Sequence, residues 1–297
     1  MLSSYSLISA REHCLSLQAV ENFCLYFALY LLGKNFDPAY TTETRRPKVN
    51  YCFVNLEDAY EQYMLEPENK AFYERIEKMR PLLQEALKAK DSASLHKLIL
   101  DVMPSKLIVK NNAQWLQDHE DELANLVSFA CEQFSDESPD YDAFGRQYGP
   151  RMSSFLSRLY SIILLNSITF DSRVAAGLEL FIREFCLTHQ IDLPEELRLV
   201  RLQGWGKDKK ENGRNASWGN NNFPPIDKIK KRPLKERSYA KSNITASWLV
   251  NESIRLARLS PSCPDWIKSD RALRNVEASL YMMGARLPVY REGEATF

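Results

Sequence analysis

The stretch ITFDSRVAAGL, residues 168–178, decides how this chain is expected to fold. A short apolar run ends at Phe170, Asp171 follows, and Val174 and Leu178 then lie four residues apart. Asp is a favoured N-cap residue, because its carboxylate accepts the free amide hydrogens of the first helical turn. The stretch therefore predicts an extended connection that turns at Asp171 into a helix with a buried apolar face.

Most of the remaining chain also carries helical periodicity, and it contains only 10 glycines. We expect helices over residues 11–33, 57–65, 68–90, 91–103, 111–135, 152–165, 239–259 and 270–284. Prolines lack an amide hydrogen and are expected at helix boundaries, namely Pro67, Pro81, Pro104, Pro139 and Pro150. A short strand is expected near 49–56, where aromatic and β-branched residues cluster, with a loop before it. The fold class is therefore mainly α, a multi-helix domain.

Composition indicates an ordinary globular protein, with 44% hydrophobic and 26% charged residues and a formal net charge of zero. Its six cysteines show no CxxC pairing and its 4 histidines stand alone, so we expect reduced cysteines, no metal site and no cofactor. The N-terminus lacks a basic stretch before an apolar one, and the longest apolar run, 23–32, is too short for a bilayer. A cytoplasmic location without membrane contact is expected.

Charge separates along the chain. Residues 111–145 carry nine acids and no Lys or Arg, whereas residues 201–241 carry twelve bases against four acids, a net of +8. The second stretch is rich in Gly and Asn and is expected to form a long loop inserted in the fold. Its bases alternate with Trp205, Trp218 and Phe223, which suits phosphate contacts and base stacking. The alternative is a surface loop whose charge balances the acidic segment.

The order of elements around Asp171 resembles that of helix-hairpin-helix DNA glycosylases, in particular a bacterial 8-oxoguanine-glycosylase-like group. Gly149 and Pro150 predict a turn, a helix then begins near Met152, and Asp171 follows nineteen residues later. The resemblance implies a helix-hairpin-helix glycosylase-like region over 146–297, with the basic insertion loop 201–241. An N-terminal helical region would then cover 1–145.

The resemblance implies that Asp171 is catalytic, since a carboxylate there stabilises the oxocarbenium ion formed when an N-glycosidic bond breaks. The base would be flipped into a pocket whose candidate walls are Phe170, Trp205 and Trp218. Candidate DNA contacts are Arg151, Ser153, Arg173, Trp205, Lys207, Lys209, Lys210, Arg214 and Trp218. A plain capping role for Asp171 is the alternative. Met152 stands where a nucleophilic lysine would lie, and residues 111–206 contain no lysine, which excludes a lyase reaction through the hairpin.

Three functional hypotheses follow. The first is a protein that binds duplex or single-stranded DNA, in one form a lysine-independent base-excising enzyme. The second is a non-catalytic DNA- or protein-docking subunit of a bacterial anti-phage or restriction-like assembly, with partner subunits and a role in antiviral defence. The third is a helical interaction protein without a nucleic-acid role.

Overall fold

The computed structural model describes residues 8–45, 48–104, 108–202, 223–285 and 287. Within these residues the chain forms twelve α-helices and one two-stranded sheet. The first half contains α1 (Ala10–Ser16), α2 (Gln18–Leu31), β1 (Tyr40–Arg45), β2 (Lys48–Phe53), α3 (Leu56–Leu65), α4 (Pro67–Lys88), α5 (Ser92–Val102), α6 (Lys110–Asp118) and α7 (Leu123–Ser135). The second half contains α8 (Ser154–Ile163), α9 (Ser172–His189), α10 (Arg232–Arg258), α11 (Asp265–Lys268) and α12 (Ala272–Met283).

The prediction of a mainly helical chain is confirmed, and so is the strand near 49–56. The prediction of a loop before that strand is wrong for Tyr40–Arg45, which form β1. This strand pairs antiparallel with β2, from Tyr40 opposite Phe53 to Arg45 opposite Lys48. The Tyr40 and Phe53 rings are buried and stack with their centroids 6.4 Å apart. This cross-strand packing stabilises a segment whose many polar residues do not predict a strand.

Several helix boundaries differ from the prediction. The helix expected over 11–33 breaks at Leu17, whose backbone is extended, and the helix expected over 111–135 is divided into α6 and α7. Pro81 lies inside α4 rather than at its end. Ile76 and Leu83 on either side of this proline are buried, so tertiary packing outweighs the one backbone hydrogen bond that Pro81 cannot make.

The predicted loop 201–241 is also corrected at its C-terminal end, because α10 already begins at Arg232. Pro233 lies in the first turn, where its missing amide hydrogen costs nothing. Glu236, Tyr239 and Ala240 are buried, and α10 packs here against a 3-10 helix, Tyr141–Gly145. Tertiary contacts thus make helical a segment whose charge density suggested a loop.

Helices from the two ends of the chain share one buried core, because α10 packs against α2 and α12 packs against both α3 and α9. The α9–α12 approach is unusually close. A Cβ at Gly177 would overlap the Leu280 carbonyl oxygen, and a Cβ at Gly284 would overlap the Arg173 carbonyl oxygen. These two glycines bring the backbone of α12 against the first turns of α9, where Asp171 lies.

No single helix among the described residues is long and apolar enough to cross a membrane. The helices α1 and α2 reach the required length and composition only as a pair, and that pair is bent by 75°. All six cysteines are free, four of them buried, with Cys14 half-buried and Cys52 exposed.

Candidate functional site

The connection from α8 to α9 is buried, and side chains of neighbouring helices satisfy its backbone groups. The Ser157 hydroxyl accepts a hydrogen bond from the Phe170 amide at 2.7 Å, and the Ser247 hydroxyl accepts one from the Ile168 amide at 3.1 Å. Asn243 donates to the Ile168 carbonyl at 2.9 Å. An extended segment without sheet partners is therefore held inside the protein at little desolvation cost.

Charged side chains of α12 hold the same connection from another side. The Thr169 amide donates to the Glu277 carboxylate at 2.9 Å, and Arg274 contacts both Glu277 and the Ser167 carbonyl. The Tyr239 hydroxyl of α10 donates to the Phe170 carbonyl. Each residue from 167 to 170 has a backbone group that is hydrogen-bonded to a side chain of a neighbouring helix. The side chains of α8, α10 and α12 therefore fix the position of Asp171 together.

Asp171 caps α9 as the sequence predicts. One carboxylate oxygen, Oδ1, accepts the amide hydrogens of Arg173 and Val174 at 2.9 and 3.1 Å. The other, Oδ2, accepts a hydrogen bond from the Arg158 guanidinium at 2.7 Å, and the side chains of Asp171 and Arg158 are only 16% and 14% exposed. Both carboxylate oxygens are therefore engaged, one by amides at the positive end of the α9 dipole and the other by a charge-assisted contact with the arginine.

Arg158 comes from α8 and lies among aromatic residues and acids. Its guanidinium is 5.5 Å from the centroid of the Phe72 ring. Burial by itself lowers the pKa of Arg158, but the carboxylates of Asp171 and Glu277 outweigh burial and leave this pKa above its usual value. Arg158 is therefore a permanent cation that neutralises Asp171.

The Arg158–Asp171 pair lines an open cleft of about 410 Å³. The cleft's other cations and its aromatic walls come from four different helices: Arg75, Arg173, Tyr63, Phe72 and Tyr281. Tyr63 and Tyr281 meet edge to face with centroids 5.9 Å apart. Burial raises the pKa of the Tyr63 hydroxyl far above its usual range, so this group is a neutral hydrogen-bond donor at every relevant pH.

The two outer arginines of the cleft have no acidic partner among the described residues. The Arg173 guanidinium lies 4.6 Å from the centroid of the Tyr281 ring, which orients it by a cation–π contact. Arg75 is exposed on α4. With Asp171 neutralised by Arg158, the remaining charges that line the cleft are these two arginines and the exposed Glu68, a net positive set.

A second feature lies at the start of α10 and is named here the basic face. It consists of exposed bases, namely Lys228, Lys230, Lys231, Arg232, Lys235, Arg237 and Lys241. Only two of them have an acidic partner within the part of the chain that the structure describes. Arg232 contacts the buried Glu236 at 2.8 Å, and Arg237 contacts Asp142 of the acidic segment at 3.0 Å.

The predicted site residues fall into three groups. Asp171 and Arg173 lie together in the cleft. Arg151 and Ser153 do not line it: Arg151 pairs with Glu236 at 3.4 Å, and Ser153 caps α8 by accepting the Leu156 amide hydrogen at 3.2 Å. The remaining six lie outside the described residues, namely Trp205, Lys207, Lys209, Lys210, Arg214 and Trp218.

The predictions that Phe170 and Phe223 contact bases are wrong. Phe170 is fully buried and meets the Tyr239 ring edge to face, so it belongs to the core and forms no wall of the cleft. Phe223 is 2% exposed and also belongs to the core. Both side chains follow the general preference of large aromatic residues for burial.

Sequence reasoning did not find the other charged and aromatic residues of the cleft. One signal was present, since Arg158 is the only charged residue of α8, whose other residues are mostly buried. An arginine on such a helix needs a partner in the fold, and that partner is Asp171. Arg75, Tyr63 and Tyr281 carry no comparable signal.

Searches of protein-family models, of curated proteins and of solved structures find no match to this chain. The segment before α8, where the resemblance implies a hairpin, contains the 3-10 helix Tyr141–Gly145 followed by a turn through Gly149. Among the described residues, no group of three or more His, Cys, Asp or Glu is arranged to hold a metal ion.

Proposed function

We propose that this chain is a DNA-binding protein that contacts phosphates through its basic face. The observation that carries the proposal is the charge of residues 223–241, where seven bases stand against two acids, Asp227 and Glu236. All of residues 230–235 are exposed, and Lys230, Lys231 and Lys235 have no acidic partner among the described residues. Lysines with free ammonium groups are the usual contacts to a nucleic-acid backbone.

Helix stability does not explain these bases. The N-terminus of a helix carries partial positive charge, so lysines in the first turn are unfavourable by a few tenths of a kcal/mol each. Lys231 is the N-cap of α10, and its side chain makes no capping hydrogen bond. An external anion relieves this repulsion, as phosphates bound at helix N-termini do.

The acidic segment supports only part of the alternative, in which the basic residues balance 111–145. Within the described residues, Arg237–Asp142 is the one ion pair between a base of the basic face and that segment. The five lysines of the basic face have no such partner. We therefore favour an external polyanion over an internal balance of charge.

Binding to duplex and single-stranded DNA over a salt series tests this function. Replacing Lys230, Lys231 and Lys235 together by Gln should weaken binding and flatten the slope of log K against log salt by up to about three units, because fewer counterions are released. The same change at Lys88, Lys97 and Lys268, which are exposed elsewhere, should leave the slope unchanged. A third variant neutralises Lys207, Lys209 and Lys210. No DNA binding by the unmodified chain at low salt refutes the function.

Base excision by Asp171 is the second candidate, favoured because the Asp171 carboxylate lies at a helix N-terminus and lines an open cleft. In this reaction water attacks the sugar, the N-glycosidic bond breaks and the base leaves with a proton. Asp171→Asn should abolish excision and leave DNA affinity unchanged, since Asn also caps well. Equal activity in both forms refutes a catalytic role, and activity in neither leaves DNA binding as the function.

A further inference from the structure

We infer that the cleft beside Arg75 and Arg173 binds a phosphomonoester attached to an aromatic group, as in a nucleotide with a terminal phosphate. The ligand is either a free nucleoside monophosphate or the 5′-phosphorylated end of a single strand, which present the same chemistry. This inference is independent of DNA binding by the basic face. It concerns a different surface, formed by α3, α4, α8, α9 and α12.

The charge of the cleft selects an anion. Guanidinium groups bind phosphate oxygens through paired hydrogen bonds, and a phosphomonoester offers three such oxygens. Arg75 and Arg173 are available for this, because neither has an acidic partner among the described residues. Asp171 would repel an anion, but Arg158 holds its Oδ2 at 2.7 Å and cancels its charge.

The walls of the cleft select an aromatic group next to the phosphate. Tyr63, Phe72 and Tyr281 line the same cavity as the arginines. A base that stacks on such a ring gains about 1–3 kcal/mol in single-strand complexes, largely without regard to its sequence. The volume of about 410 Å³ lies within the range of small-molecule sites, about 300–1,000 Å³.

The cleft is also preorganised for this ligand. The Tyr281 ring holds the Arg173 guanidinium by a cation–π contact at 4.6 Å, and Phe72 holds Arg158 from one side. The backbone beneath Asp171 is held by side chains of α8, α10 and α12. A ligand therefore meets one phosphate-binding arginine, Arg173, that is already oriented, which lowers the entropy lost on binding.

Calorimetric titration of the full chain with adenosine 5′-monophosphate, adenosine and inorganic phosphate tests the inference. We expect the monophosphate to bind more tightly than either adenosine or phosphate alone. Arg75→Gln and Arg173→Gln should each weaken it about tenfold or more, as the loss of a charge-assisted hydrogen bond does. Lys70→Gln, an equal charge change at an exposed lysine of α4, should change affinity less than about twofold.

A parallel arm compares a 5′-phosphorylated single strand with its 5′-hydroxyl counterpart. A preference for the phosphorylated strand that disappears in Arg75→Gln identifies the strand end as the source of the phosphomonoester. Binding of the free monophosphate with no such preference identifies the free nucleotide. Either result supports the inference, and near-ultraviolet circular dichroism verifies that each variant is folded.

The inference is overturned if adenosine binds as well as its monophosphate, or if Arg75→Gln and Arg173→Gln both bind like the unmodified chain. It is also overturned if the unmodified chain binds neither the monophosphate nor the phosphorylated end preferentially. Loss of DNA affinity in the Lys230, Lys231 and Lys235 variant, with unchanged monophosphate binding, separates this site from the basic face. The two proposals therefore fail independently.

Discussion

Arg158 and Asp171 are joined by a 2.7 Å ion pair between the side of α8 and the first residue before α9. The pair ties together the two helices that flank the buried connection, and it turns a capping carboxylate into a neutral pair at the edge of the cleft. Asp171 therefore has two structural roles, one in the cap of α9 and one as the counterion of Arg158. The two roles are separable by mutation.

Asp171→Asn should keep the cap but lose the ion pair. We expect a loss of about 1–3 kcal/mol, between the values for exposed and fully buried pairs, because Arg158 stays behind without its counterion. Asp171→Ala should cost about 1 kcal/mol more, since it also removes the cap. Urea unfolding measures both, and Arg158→Met combined with Asp171→Asn should be more stable than the sum of the single changes predicts. Additive effects would show that the pair contributes nothing.

Gly177→Ala tests the close approach of α9 and α12. Alanine favours a helix over glycine by about 1 kcal/mol, so the change would stabilise an unpacked helix. Here the new Cβ overlaps the Leu280 carbonyl, and we expect a net loss of about 1–3 kcal/mol from overpacking. Thermal unfolding measures the sign of the effect. A more stable variant would mean that the two helices separate easily.

Asn243→Ala should remove the side chain that joins α8, α10 and the connection. Asn243 is fully buried. Its side chain donates a hydrogen bond to the Ile168 carbonyl and accepts one from the Ser157 hydroxyl at 2.6 Å. Both partners lose a hydrogen bond inside the protein, so we expect a loss of about 2–4 kcal/mol in denaturant unfolding. Asn251→Ala, eight residues further along α10, is the matched control, since the hydrogen bond from Asn251 to the Asn166 carbonyl is exposed to water. Equal losses in the two variants would contradict this account.

Glu179 predicts a dependence of stability on pH. It is 2% exposed, its Oε1 atom has no hydrogen-bond partner among the described residues, and burial raises its pKa well above the usual value of 4.5. Above pH 4.5 the folded chain therefore holds a proton that the unfolded chain has lost. The free energy of unfolding contributed by this group falls as pH rises from there toward the folded pKa.

Glu179→Gln should remove that dependence, because the amide does not ionise. We expect the variant to become more stable than the unmodified chain as pH rises from 5 toward 8. The gain in the free energy of unfolding should not exceed about 1–3 kcal/mol, the cost of an unsatisfied buried polar group. Urea unfolding at several pH values measures the difference. Parallel pH profiles for the two chains would show that Glu179 ionises freely in the fold.

Local sequence patterns predicted the elements whose cause is local. The apolar steps after Asp171 and the capping carboxylate both act within one helical turn, so α9 and its cap were readable from residues 168–178. The same holds for β2, where aromatic and β-branched residues cluster. Sequence patterns failed where contacts with distant residues determine the local structure, as for Pro81 inside α4, for β1 and for the start of α10.

The cleft shows the same division. Asp171 and Arg173 are neighbours in the chain and were predicted together, but Arg75, Arg158 and Tyr281 come from α4, α8 and α12. No spacing along the chain relates these residues to Asp171. Their meeting depends on how four helices pack around the buried connection.

By itself, then, the sequence determined the helical class, the cap at Asp171, the absence of lysine from residues 111–206 and the separation of charge along the chain, because each depends on composition or on interactions within a few residues. Only the tertiary structure decided that Arg158 neutralises Asp171, that Phe170 and Phe223 belong to the core, and that Arg75 and Arg173 line the cleft without an acidic partner among the described residues. The physical reason is burial. Whether a side chain is paired, desolvated or free depends on residues that the chain brings together only after folding.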